Sequence, residues 1–311
     1  MGFLISLLNS MPAAIAQGLI WGLMAIGVYI AYKILDIADL TVDGSICTGA
    51  CVCVMLIRAG VPAYVSVIAA FLAGALAGVV TGLLHTALGI PSILAGILTQ
   101  LMLYSVNLAI LGKSMQALVR VMHPTMLSMS DNIGSIIVAG GIIAVMIVII
   151  WLFFYTEVGL TLKSTGDNPD MSRAQGVNVN LNKVVGLAIS NGIVAFAGAL
   201  LAQYKGFADI NDGRGAIVIG LAAIFIGLSV STKIKPNLVV SLIGVVGGSI
   251  VYYTIYNFVI LIGLKTDYLK MLSALIVALY LGIPYIKSEY FSKRKPVPAV
   301  NQNNAGGEGD A

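Results

Sequence analysis

Of the 311 residues, 59% are hydrophobic and only 10% are charged, with a formal net charge of +4. A soluble globular protein carries roughly 25% charged residues, and the deficit here runs along the whole chain, which excludes both a water-soluble protein and one held by a single anchor. The small basic excess sits between apolar runs, where orientation in a membrane explains it better than nucleic acid does.

No basic region precedes the first apolar stretch, so a cleaved leader is not expected. A span needs about 20 apolar residues. Candidates fall near 12–32, 44–58, 62–84, 91–111, 134–155, 182–204, 214–230, 237–262 and 268–286. The expected fold is therefore an all-α, polytopic membrane bundle of about nine spans. The second and seventh are short and glycine-rich, and either suits a discontinuous helix. One membrane domain is expected over 1–290, followed by a tail, 291–311, whose low-complexity end from Pro296 suits disorder.

Positive charge concentrates on the cytoplasmic side of membrane proteins. Lys287, Lys293, Arg294 and Lys295 place the C-terminus inside. Alternation then puts Lys233, Lys235 and the polar loop 156–180 inside, and Arg58, Lys113, Arg120, Lys205, Arg214 and Lys265 outside with the N-terminus. Gly74, Gly78 and Gly82 form a small-residue stripe and Gly18 with Gly22 a shorter one, which suits close helix packing within a subunit or between subunits. Cys47, Cys51 and Cys53 lie in one apolar segment without a completing metal ligand, so they are expected as buried helix residues.

Three segments carry chemistry. The first is KILDIADLTVDGS, Lys33 to Ser45, where Asp36, Asp39 and Asp43 recur at helical spacing between two apolar runs. Ionisable groups at membrane depth are costly unless paired or wet. The segment is expected to dip into the bundle and line a polar path; a short solvated connection is the alternative. Asp36, Asp39, Thr41, Asp43, Ser45, Asn107 and Gly220 are the candidate path residues.

The second is the polar stretch from Thr156 to Lys183. Asn168 and Pro169 suit a helix start, with Pro169 first in the helix, and Gly176 suits its end. Such a helix along the cytoplasmic face is what a soluble motor needs to push on, although composition alone equally allows an ordinary loop. The third is GRGAIVIGLAAIFIGLS, Gly213 to Ser229, whose glycines permit broken helices of the kind transporters use.

In this order, IADLTVDGS at 37–45, GIPSILAGILTQLMLYSVNLAILGKS at 89–114, the loop at 156–180 and GLAAIFIGLS at 220–229 resemble permeases of the branched-chain amino acid and ribose type of ABC importer. The branch with tryptophan/tyrosine-type members is the most similar. The resemblance covers nearly all of 12–290. It implies a bacterial plasma-membrane permease, multi-pass, pairing with a second permease (a homodimer or a heterodimer). It also implies two cytoplasmic ATPase subunits and an extracytoplasmic binding protein or lipoprotein. The chain itself would bind no cofactor; ATP and magnesium belong to the ATPase. The cargo would be a small solute, best matched by an aromatic amino acid. The coupling role falls on Gly166, Asn168, Pro169, Asp170, Ser172, Arg173, Gln175 and Gly176, although the family's loop is often acidic or alanine-rich where this chain reads NPDMSRAQ.

Other chemistries lack their residues. LGKS at 111–114 has Asn107 where a phosphate-binding loop needs glycine. His85 and His123 do not form a zinc-protease motif, and no G-x-S-x-G nucleophile occurs. Tyr252, Tyr253, Tyr256 and Phe258 suit a packed or interfacial face better than substrate stacking. An ion-coupled secondary transporter, using the buried acids without an ATPase, is the competing reading.

Overall fold

Hydrocarbon offers the backbone no hydrogen-bond partners, so a chain this apolar must close its own amide bonds in helices. A computed structural model describes residues 2–118, 125–231 and 237–262, with isolated positions at 271, 274, 275, 278 and 282. Its elements in order are α1 (Gly2–Tyr29), ending in a π-helical turn (Ile30–Ile34), α2 (Val42–Arg58), α3 (Ala63–Thr86), α4 (Ser92–Leu111), β1 (Met115–Ala117), α5 (Asn132–Phe154), α6 (Glu157–Asp167), α7 (Pro169–Ala174), α8 (Val179–Lys205), β2 (Phe207–Asp209), α9 (Ala216–Ser231) and α10 (Leu238–Leu261).

Six of these helices are long and apolar enough to cross a membrane. The two expected to be short are short: α2 has 17 residues and α9 has 16, or about 24–26 Å at 1.5 Å per residue, less than a bilayer core of roughly 30 Å. The ninth expected span, 268–286, falls mostly outside the described residues, as do the tail 291–311, Lys233, Lys235, Arg120, Lys265 and His123.

Glycine sets the packing around α8. A Cβ on Gly49 of α2 would collide with the Ala195 backbone of α8, one on Gly78 of α3 with the Leu187 carbonyl, and one on Gly27 of α1 with the Ser190 carbonyl. Gly74 and Gly82 meet Asn191 and Val184 on the same helix, so this stripe packs within the subunit. Gly18 and Gly22 receive Ile250 and Ser249 of α10 in the same way. Small residues let helix backbones approach where lipid supplies no hydrophobic drive for association. The three cysteines are buried and free, and no metal-binding cluster occurs among the described residues. Helices α1 and α8 are interior, while α4 and α5 are peripheral: 83% of the most apolar stretch of α1 is buried against 17% for α5.

At one end of the bundle α6 and α7 form a polar cap. At the other, β1 and β2 pair antiparallel, with Met115 opposite Asp209 and Ala117 opposite Phe207.

Gly49→Val is expected to lower the thermal midpoint of the purified protein strongly, by the equivalent of about 3 kcal/mol or more. Gly140→Ala on α5, where a Cβ meets open space, is expected to leave it unchanged. Detergent-solubilised thermal unfolding checks both.

Candidate functional site

Helix α2 begins inside the bundle. Its first turn lies beside Asn191, midway along α8, and its last residue, Arg58, donates to the Ala117 carbonyl of β1 at 3.1 Å. Its lower half is therefore replaced by the connection 35–41. That connection is not helical, so the three carboxylates share no helix face. Asp36 is exposed in a left-handed conformation with φ of 56°. Asp39 turns inward, 3% exposed, where one carboxylate oxygen accepts the Thr41 amide at 2.8 Å and the other accepts Asn191 Nδ2 at 2.6 Å. Ser45 Oγ donates to Asn191 Oδ1 at 2.7 Å. A chain of buried hydroxyls, Thr41, Thr81 and Thr99, continues from α2 to α3 and α4.

Helix α9 starts next to this point and runs the opposite way. The Asp43 carboxylate, in the first turn of α2, accepts the amide of Gly215, just before α9, and that of Ile217 within it, both at 2.9 Å. Cys47 accepts the Gly213 amide at 3.1 Å and donates to the Ile210 carbonyl at 3.1 Å. From there α9 leads back to α10, where Gly227 and Gly244 are in backbone contact. Two short helices thus meet N-terminus to N-terminus within the bundle. Helix N-termini carry positive partial charge and unpaired amides, and Asp43 answers both needs for α9.

The polar cap is built by local rules. Thr156 caps α6, Asn168 Oδ1 accepts the Met171 amide at 2.9 Å to cap α7, Pro169 is the first residue of α7, and Gly176 has φ of 84°. Asp170 and Arg173 form an exposed pair at 3.3 Å. Ser172 points inward and bonds Ser164, and Asn182 of α8 donates to Thr165 at 3.0 Å. Gly166 lies so close to the Ile34 carbonyl that a Cβ would overlap it. The cap is thereby keyed to the segment that leads to Asp39.

Two cavities open toward the ribbon end. One of about 330 Å³ lies between α2 and α4 and is lined by Asp43, Gly44, Cys47, Gln100, Tyr104, Asn107 and Arg214. The other, about 540 Å³, is lined by Trp21, Tyr253, Tyr256, Asn257, Gln17 and the Lys205–Asp212 ion pair.

A family model described as branched-chain amino acid transport system / permease component matches residues 10–281. The chain belongs to this family. It is a permease component of an ABC-type transport system, and a multi-pass membrane protein. A tyrosine transport system permease protein of Clostridioides difficile is 37% identical over 95% of this chain and 98% of its own. An uncharacterized protein of Rickettsia prowazekii is 32% identical over 91% and 99%. The autoinducer 2 import system permease protein of Escherichia coli K12 is 30% identical over 59% and 54%. No solved structure matches.

In this permease the sequence-derived path residues divide. Asp39, Thr41, Ser45 and Asn107 are buried in the interior and Asp43 lies at the meeting of the two short helices, whereas Asp36 faces out and Gly220 packs on Val28 and Met24 of α1. Of the cap residues, Asn168, Pro169, Asp170, Arg173, Gln175 and Gly176 are exposed, and Gly166 and Ser172 pack inward. Asn191 and Tyr104 escaped the sequence reading, and Arg214 entered it only as a charge on the outer side. Asn191 is a lone amide amid apolar residues of a long span, and that polarity was its only signal.

Asp43→Ala is expected to destabilise the protein by about 1–3 kcal/mol, since it orphans two partly buried amides at the start of α9. Asp43→Asn, which keeps an acceptor, should recover part of that. Thermal midpoints of the two variants measure the difference.

Proposed function

We propose that this permease imports a small solute, an aromatic amino acid such as tyrosine or tryptophan, using work done on α7 by a cytoplasmic ATPase. A solute-binding protein delivers the cargo on the opposite side. Two copies of the chain pair, and each meets one of two ATPase subunits that hold the ATP and magnesium; the C-terminus lies in the cytoplasm. The observation that carries the reading is the polar cap. It offers a short, capped, exposed helix at its tip, while its base is locked through Gly166 to Ile34 and through Thr165 to Asn182.

Movement of α7 then has a rigid route inward. Close packing leaves no slack between α6 and the 34–35 segment, and that segment continues into Asp39 and the start of α2. ATP binding in the partner favours one arrangement of the two short helices over another, and hydrolysis releases it, which is a shift between two populated states. Asp170, Arg173 and Gln175, joined by the exposed Met171, form the docking surface. Asp39, Thr41, Asp43, Ser45 and Asn107 border the path. The substrate class follows the tyrosine permease of C. difficile, a relative matched over nearly its full length.

Asp170→Ala/Arg173→Glu is expected to cut ATPase copurification and ATP-driven uptake at least about tenfold, a loss of roughly 1.4 kcal/mol, with the thermal midpoint unchanged. Because the native cysteines are buried, Gln175→Cys adds a single reactive thiol. A membrane-impermeant maleimide should label it in inside-out vesicles and not in right-side-out ones. Labelling from the exterior, or solute accumulation by the chain alone without ATP, overturns the proposal, and the latter favours the ion-coupled transporter.

A further inference from the structure

We infer that the cavity between α2 and α4 is a subsite for the charged head of a free α-amino acid, with Arg214 facing the carboxylate and Asp43 and Asn107 facing the ammonium. The inference rests on the transport reading above and adds a recognition step within the permease itself.

The first observation is Asn107. It is 1% exposed and lines this cavity, and its Oδ1 is the one buried side-chain polar atom among the described residues without a hydrogen-bond partner. Its Nδ2 reaches the Gly44 carbonyl only at 3.5 Å. Exchanging the two ends of the amide leaves an unsatisfied group in either orientation. Buried polar groups are nearly always paired, and an exception calls for a reason. A donor that arrives with the cargo supplies one.

The second observation is Arg214. Its guanidinium makes no ion pair or hydrogen bond among the described residues and stands 6.0 Å from the centre of the Tyr104 ring. A planar guanidinium pairs with a carboxylate through two parallel bonds while an aromatic face supports it. Asp43, whose two oxygens already accept the Gly215 and Ile217 amides, brings the opposite charge to the same wall. One cation, one anion and one unpaired amide match a dipolar ligand of zero net charge. They do not match an anion, a cation or an apolar solute. The volume, about 330 Å³, lies at the lower end of the roughly 300–1,000 Å³ range of small-ligand sites, and Tyr104 gives a ring-bearing side chain a surface to lie against. Arg214 borders the larger cavity as well, but the buried amide oxygen without a partner belongs to the smaller one, and in the larger one Lys205 and Asp212 pair with each other at 3.0 Å.

The test is saturation-transfer NMR on the purified permease–ATPase complex without its binding protein. The probes are L-tyrosine, L-leucine and tyramine, the last lacking the carboxylate. Free amino acids should bind and tyramine should not. Arg214→Gln, a change at an exposed position, should weaken amino-acid binding about tenfold, the loss of one charge-assisted contact, and Arg214→Lys should restore part of it. Asn107→Leu should raise the thermal midpoint while weakening binding, a combination that a purely structural asparagine does not give. Binding of L-leucine without L-tyrosine upholds the subsite and overturns the aromatic assignment. Equal binding of tyramine and L-tyrosine overturns the subsite. So does Arg214→Gln binding within twofold of wild type, or no amino-acid binding by a complex that still transports; in each case the importer reading stands.

Discussion

The Asp43 carboxylate holds the structure's two short helices at one point. A helix that begins inside a membrane domain exposes amides that neither lipid nor its own backbone can satisfy. Here the first turn of α2 supplies the missing acceptor to α9. Asp39 does the same for the start of α2, and Asn191 on α8 holds the Asp39 carboxylate in turn. Remove these acceptors and neither short helix has a reason to begin where it does. The cavities, the connection 35–41 and the β ribbon all take their positions from this junction.

Around it the molecule is graded in stiffness by residue size. Helix α8 touches α1, α2 and α3 through glycines, with backbones nearly in contact, and packing this tight transmits displacement instead of absorbing it. Helices α4 and α5 touch less and turn Leu101, Ile137, Val148 and Leu152 outward. In the proposed mechanism a push at the cap meets the stiff part first. The same contrast explains why the α2–α4 cavity lies where it does, between an interior helix and a peripheral one.

Much of this was readable from residue order, and the pattern of success is physical. Short-range chemistry was legible: Asn168-Pro169 begins α7, Gly176 follows its end, and the two glycine-rich runs form the two short helices. Those features depend on residues a few positions apart. Asp36, Asp39 and Asp43 misled for the opposite reason, since their helical spacing is overridden by a connection held from outside, by Asn191, 152 positions from Asp39. Helix α6 hid inside a stretch that reads as polar loop. Arg214 read as a loop charge, because nothing adjacent to it in the chain shows that it shares a cavity with Asp43, Asn107 and Tyr104.

The distance along the chain between Asp43 and its acceptor role has a consequence for biogenesis. Gly215 and Ile217 are made 172 and 174 residues after Asp43, which at synthesis rates of about 5–20 residues per second is a wait of roughly 9 to 35 s. During that interval the nascent chain holds an acidic residue at the head of a segment too short to cross lipid by itself. The insertion machinery must therefore shelter α2, or leave it at the interface, until the second half of the polypeptide arrives to receive it.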